Sequence, residues 1–244
     1  IIDTGLDTDH EAFTHSPAGA SLGVAEIAAA MERWDLTCEA EYPGLTAQDT
    51  YVSEKVPFAF DYADRDTDVN PDTAPDANNV SHGTHVAGIA AGYAENAEGQ
   101  VHFSGVAPDA QLLILKAFPD SGAGTPDTVT LAALEDAVKL GADVVNMSLG
   151  TDCGFSDSRD RVINEAYRRV REAGISLICA AGNQYDSALR NNTGTNMSLT
   201  SDPDTGVVSS PASFGTALSV ASADNLIATL PAILAGERYI PYTT

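Results

Sequence analysis

Three features of the sequence predict an α/β fold with a doubly wound, mostly parallel sheet and helices on both faces. Short apolar runs alternate with amphipathic segments through the second half of the chain. The runs lack polar alternation, which marks strands covered on both faces. Glycines stand where each amphipathic segment has to stop. With 244 residues and 43% hydrophobic content, the chain can bury the core of one large α/β domain.

The elements follow in order. "IIDTG" is an apolar strand that ends in Asp3, with Thr4 and Gly5 forming a tight turn behind it. Segment 14–79 then breaks the rhythm with Trp34 and the acidic stretch "DYADRDTDVNPDTAPDANN", and it reads as an insertion decorating one rim. "VSHGTHVAGIAAG", residues 80–92, is a helix with Ser81 as its cap. Its small residues Gly83, Ala87, Gly88, Ala90, Ala91 and Gly92 let it lie very close to the sheet.

"QLLILKAF" and "ADVVNMSLG" are strands on either side of the helix "TPDTVTLAALEDAVKLG". In that helix Leu131, Leu134 and Val138 follow 3-4 spacing, Pro126 suits the first turn and Gly141 the stop. "SDSRDRVINEAYRRVREAG" repeats the scheme. Val162, Ala166, Tyr167 and Val170 form its inner face, Arg159, Arg168, Arg169 and Arg171 face solvent, and Gly174 ends it. "ISLICAAGN" is the next strand. From about residue 224 the tail "DNLIATLPAILAGERYIPYTT" loses the rhythm and reads as the entry into another module.

The totals exclude some functions. Twelve basic and 35 acidic residues give a net charge of −23, which repels nucleic-acid phosphates and anionic lipid. No apolar stretch approaches the ~20 residues of a membrane helix. The chain opens without an initiator Met or an apolar leader, so it reads as an internal piece with any targeting signal upstream. Cys38, Cys153 and Cys179 are odd in number and widely spaced, forming neither a metal box nor a self-contained disulfide framework. Cys179 lies in an apolar strand and reads as a small buried thiol.

In open parallel sheets ligands bind beyond the carboxyl ends of the strands, where Asp3, Ser148 and Asn183 all fall. Asp3 either caps its own turn or orients a histidine. His82, at the head of its helix, needs a carboxylate partner if it is to accept a proton there, because the helix dipole disfavours imidazolium. Asp3 is the candidate. The other reading of His82 and His85 as metal ligands lacks a third ligand nearby; His85 then is a hydrogen-bonded helix residue, and His10, His15 and His102 carry no chemical context. Asn183, after Gly182, either forms a turn or donates its amide to an oxyanion.

Taken in the order Asp, His, Asn, these motifs resemble the subtilisin-like serine proteases, the subtilases. "DTG" is similar to that family's catalytic-Asp motif, "HGTHVAG" to its catalytic-His motif and "GVAP" at 105–108 to the loop that follows. "NMSLG" is similar to a substrate-binding strand, "AAGN" to the oxyanion Asn motif, and "SSPASFGTALSVAS" to the segment after it. The likeness covers residues 1–222, while 223–244 resemble the entry into an inserted protease-associated domain. "GADVVNMSLG", "DPDTGVVSSPAS" and "DTDHEAF" look most like the lactocepin and C5a-peptidase branch of cell-envelope proteinases, which implies a secreted or surface-attached parent.

The resemblance implies a serine endopeptidase acting on peptides and proteins through Asp3, His82 and a serine, with Asn183 in the oxyanion hole. It also implies that a substrate strand adds between Ser121, Gly122, Ala123 and Gly124 and Ser148, Leu149 and Gly150, with Ala180, Ala181 and Gly182 lining the primary pocket. The acidic surface would favour cationic substrate segments. The nucleophile motif is missing: Ala217 follows Gly215 and Thr216 where the serine would stand, so the 244-residue chain alone is expected to be inactive.

The chemistry needs no cofactor, and no metal site is assigned. "HEAF" offers Ala12 where many relatives place a calcium-binding Asp. Asp64, Asp66 and Asp68 begin like a calcium loop, but Val69 replaces its Gly and no Glu closes it, so the stretch is either such a loop or a solvated acidic one. The alternative of another class is a surface adhesin that keeps the fold without catalysis.

Overall fold

The structure is a computed structural model. It describes residues 1–71, 81–122, 124–151, 154–156, 161–183, 207–223, 232–235 and 238–241. Ala123, Cys153, Arg159 and residues 72–80 lie outside the described residues. The strands are β1 (Ile2–Asp3), β2 (Phe58–Asp61), β3 (Tyr93–Glu95), β4 (Val101–Ser104), β5 (Leu113–Lys116), β6 (Val144–Met147), β7 (Ser176–Ala180), β8 (Leu218–Val220), β9 (Ala232–Ala235) and β10 (Arg238–Pro241). The helices are α1 (Val24–Arg33), α2 (Thr37–Glu41), α3 (Ala47–Thr50), α4 (His82–Ala91), α5 (Asp127–Lys139) and α6 (Arg161–Glu172).

Two parallel ladders carry the fold, β1-β5-β2 and β6-β7-β8, with β6 alongside β1. Two antiparallel hairpins, β3-β4 and β9-β10, stand apart from them. The expected single sheet is thus two hydrogen-bonded units among the described residues. β1 is only two residues long, and its bonds go to β5.

Strand alternation sorts the core into two faces. Phe58, Phe60, Leu113, Leu115, Val145, Met147, Leu177 and Cys179 pack with residues of α1, α2, α5 and α6. Ala59, Ile114 and Leu112 face the other way, onto Ala87 and Ala91 of α4. This is the doubly wound arrangement, with helices on both faces. Gly83, Ala87 and Ala91 let this helix lie close to the backbone, whereas Gly88 faces Phe103 with room for a Cβ.

Segment 14–79 is more than a rim. In its described part β2 pairs in register with β5 from Phe58↔Leu113 to Asp61↔Lys116 and is fully buried, so the sheet itself runs through it. Its four residues run straight into the acidic loop after Asp61, which masks the apolar signal.

Three local expectations also change. Val162 is exposed, and Ile163 packs on the core beside buried Tyr167 and Val170, a one-residue shift of the α6 face. Pro126 is the residue before α5 rather than in its first turn. Ser81 makes no side-chain cap, although its carbonyl accepts from the His85 amide. Gly141 and Gly174 do stop their helices with positive φ of 77° and 83°.

Candidate active site

The site begins with a strand end and a helix head pressed together. β1 delivers Asp3 to the carboxyl edge of the sheet, where it is 2% exposed. Gly5 turns the chain at φ 113°, a conformation that suits glycine, and a Cβ there would lie 2.3 Å from the Val69 carbonyl oxygen. The head of α4 comes in over this turn at Gly83. A Cβ on Gly83 would stand 2.2 Å from the Gly5 carbonyl oxygen, so only glycine allows the approach.

Two threonines lock the contact. The Gly83 amide donates to Thr4 Oγ1 at 2.9 Å, and the Asp7 amide donates to Thr84 Oγ1 at 2.8 Å. Thr4 thereby satisfies one of the free amides at the start of α4, the task expected of Ser81. The signal was present in the sequence as the middle residue of "DTG" and the third of "HGTH".

This packing sets His82 Nδ1 2.7 Å from Asp3 Oδ1, across 79 residues of sequence. Asp3 Oδ1 also accepts from the Thr4 amide at 2.8 Å. The hydrogen bond to Asp3 raises the His82 pKa above its ordinary 6.5, against the opposing effect of burial, and the Asp3 charge adds to the rise. Asp3 Oδ2 is buried with no hydrogen-bond partner among the described residues, so the carboxylate's stabilisation comes through Oδ1. With Nδ1 bonded to the carboxylate, the imidazole is held in one orientation, with Nε2 on the far side of the ring.

Asn183 follows β7 at the same carboxyl edge and is exposed. Before it, Gly182 has φ 107° and a Cβ would meet Ser209 Oγ at 2.2 Å. The Ser209 amide donates to the Ala181 carbonyl, and the Ala181 amide to Val220. The chain therefore leaves β7 along a fixed path.

A cleft of about 810 Å³ reaches Ser210, next to this path, and its lining does not include Asp3, His82 or Asn183. Of the residues expected along a substrate strand, Gly124, Leu149 and Gly150 line it, together with Phe118, Tyr167 and Phe214. Ser121, Gly122 and Ser148 are not part of that lining, nor are Ala180, Ala181 and Gly182. Ser210 exchanges backbone hydrogen bonds with Thr151 while the Ser209 amide bonds Ala181, so the "SSPAS" stretch ties the segment after β6 to the one after β7.

The other candidates resolve simply. Among the described residues His82 and His85 belong to no group with metal-ligand geometry, and the one such group is Asp61, Asp64 and Asp120. Asp66 and Asp68 are outside it; their carboxylates accept from the Asp68 and Asn70 amides in local turns. His10 caps a 3-10 turn through the Ala12 amide, His15 pairs with Asp109 and His102 with Glu11. His85 is exposed. Cys38 and Cys179 are buried free thiols, and burial pushes Cys179 up to about 12, far from a reactive thiolate.

A family model described as "Subtilase family" matches residues 1–240. The chain belongs to the subtilase family. Subtilase relatives include the PII-type proteinase of Lacticaseibacillus paracasei, 32% identical over 227 residues that make up 92% of this chain and 11% of that protein. The C5a peptidase of Streptococcus pyogenes serotype M18 is 32% identical over 224 residues, 91% of this chain and 18% of that protein. This subtilase chain thus spans between a tenth and a fifth of the length of the curated relatives it matches. Among solved structures, patellamide maturation protease PatA is 26% identical with a TM-score of 0.46, over 59% of this chain and 44% of that one. No described helix is long and apolar enough to cross a membrane.

Proposed function

We propose that the full-length protein is a serine endopeptidase, secreted or attached to the cell surface, that cleaves peptide bonds of extracellular proteins. The observation that carries this reading is the Asp3–His82 hydrogen bond of 2.7 Å at the carboxyl edge of a parallel sheet. An adhesin that only kept the fold would have no use for a buried carboxylate aimed at a half-exposed imidazole.

In this mechanism a serine outside the 244 residues attacks the scissile carbonyl, and His82 Nε2 takes the serine proton. Asp3 holds the ring and stabilises the imidazolium. The Asn183 amide donates to the oxyanion as it forms. His82 then returns the proton to the leaving amine, and water repeats the cycle on the acyl-enzyme.

The peptide lies as an added strand along the segments 121–124 and 148–150, with side chains entering the cleft that Gly124 and Leu149 line. Ala180, Ala181 and Gly182 border the residue before the cleaved bond. A net charge of −23 favours cationic segments, through on-rate and at low salt. The chemistry uses no cofactor, and a protease-associated domain follows the chain.

Hydrolysis of a chromogenic peptide by the full-length protein, lost in His82→Ala, tests the proposal. A wild type with no hydrolysis of peptides or casein would return the chain to the binding-module reading.

A further inference from the structure

Lys116 is the last residue of β5, and it is 1% exposed in a strand that is otherwise apolar. Among the described residues its ammonium group meets three carboxylates. It is hydrogen-bonded to Asp61 Oδ2, lies 2.6 Å from Asp120 Oδ1 and 3.8 Å from Asp64 Oδ2. The carboxylate oxygens of Asp61, Asp64 and Asp120 all fall within 4.8 Å of one another, a spacing that could hold a metal ion. Here a tethered cation of the chain's own sits among them.

Each carboxylate belongs to a different part of the carboxyl edge. Asp61 ends β2 and organises the following loop, its Oδ1 accepting from the Ala63 amide at 2.8 Å and the Asp64 amide at 3.0 Å. Asp64 Oδ2 in turn accepts from the Asp120 amide at 2.6 Å. Asp120 comes just before Ser121 and Gly122, inside a turn closed by the Gly122 amide on the Pro119 carbonyl. Asp120, Ser121 and Gly122 are exposed and belong to no strand. The lysine stem passes under the Asp3 turn, its Cδ 3.0 Å from where a Gly5 Cβ would be.

A substrate that adds as a strand needs a template edge already in place, since ordering that edge on binding subtracts from affinity. We propose that Lys116 is a positioning residue which, through Asp120 and Asp64, fixes the edge at Asp120, Ser121 and Gly122 against the sheet so that an extended substrate finds it preformed. The network ties the loop after β2 to the substrate edge, beside the backbone bonds that already join β5 to Asp3 and to Tyr62. This inference rests on the peptidase reading, and it separates substrate alignment from the Asp3–His82 chemistry.

Asp120→Ala is the sharper probe, because its side chain is 59% exposed and the buried Lys116–Asp61 pair stays intact. Two chromogenic peptides are compared with the full-length protein, one with a single residue and one with six residues before the cleaved bond. Asp120→Ala raises KM for the longer peptide about tenfold while kcat changes less than about twofold, and kcat/KM for the shorter peptide changes less than about twofold. Asp120→Glu, which keeps a carboxylate in reach of the ammonium, recovers most of the KM.

Amide hydrogen exchange across 119–124 accelerates about tenfold or more in Asp120→Ala and not in Asp120→Glu. An equal loss on both peptides, or unchanged KM and unchanged exchange, overturns the proposal. If the wild type cleaves neither peptide the peptidase reading fails, and the exchange comparison still decides whether the tether holds the edge.

Discussion

Replacing Gly83 with alanine tests the joint between the two motifs. The new Cβ would stand 2.2 Å from the Gly5 carbonyl oxygen, 2.9 Å from the Gly5 amide and 3.2 Å from Asp3 Cβ. Ordinary contact begins near 3.4 Å, so the head of α4 must move back by more than about 1 Å. The obstacle is backbone on a tight turn, which cannot swing aside as a side chain would. Overpacking of this kind costs about 3 kcal/mol, the upper end of the usual range, or roughly 6–12 °C in melting temperature for a unit of this size.

A 1 Å retreat also breaks the 2.7 Å bond between His82 and Asp3, and misplacement on that scale costs about 10²-fold in rate. Gly88, one turn and a half further along the same helix, is the control. Its Cβ would find only Phe103 ring atoms at 3.7 and 4.0 Å, and alanine favours helix by up to ~1 kcal/mol. Calorimetry of the full-length protein, read at the transition that melts this region, and peptide hydrolysis together give the comparison. Gly83→Ala with wild-type stability and activity would refute the close-packing argument, as would a larger loss at Gly88→Ala than at Gly83→Ala.

Further outcomes are expected. The acid limb of kcat/KM lies above pH 6.5, because His82 must be neutral to accept a proton and its bond to Asp3 raises its pKa; in Asp3→Asn the His82 titration followed by NMR moves down, since burial then acts with less opposition. The same raised value means that this bond's contribution to stability is fully present below about pH 6.5 and lost as the pH climbs through the folded-state pKa. Asn183→Ala lowers kcat by roughly 10²–10³-fold with KM nearly unchanged in steady-state kinetics, a size carried over from the corresponding loss in subtilisin itself; a rise in KM at constant kcat would make Asn183 a ground-state contact. Asp136→Ala, which strips the acceptor from the Thr37 and Cys38 amides and the Tyr62 hydroxyl in a fully buried place, destabilises by about 3 kcal/mol or more in denaturant unfolding; a loss under 1 kcal/mol would mean that those donors find other partners.

The βα rhythm from Gln111 to Asn183 could be read directly, because buried parallel strands are continuously apolar and their helices end on glycines of positive φ. The Asp3–His82 pair was legible for a different reason: both residues stand at the carboxyl edge of the sheet, so topology brings them together whatever the intervening chain does. Lys116 shows the limit of such reading. In "LILK" a lysine looks like a strand boundary, and its partners Asp61 and Asp64 are more than 50 residues away. β2 is hard to read in the sequence for a related reason, since only four residues of it are strand and an acidic loop follows at once. The α6 face slipped by one residue because Val162 and Ile163 are equally apolar, and only packing against the core tells them apart. Thr4 in place of Ser81 as the partner of an α4 amide is a tertiary contact, which local capping rules cannot foresee.

Labelling with a fluorophosphonate bears most directly on the proposed chemistry. The full-length protein is treated with the reagent and the modified residue located by mass spectrometry, in wild type and in His82→Ala. A serine endopeptidase activated by the Asp3–His82 pair is labelled on a single serine in the wild type and scarcely at all in the variant. An unlabelled wild type, or labelling that persists undiminished in His82→Ala, would contradict it.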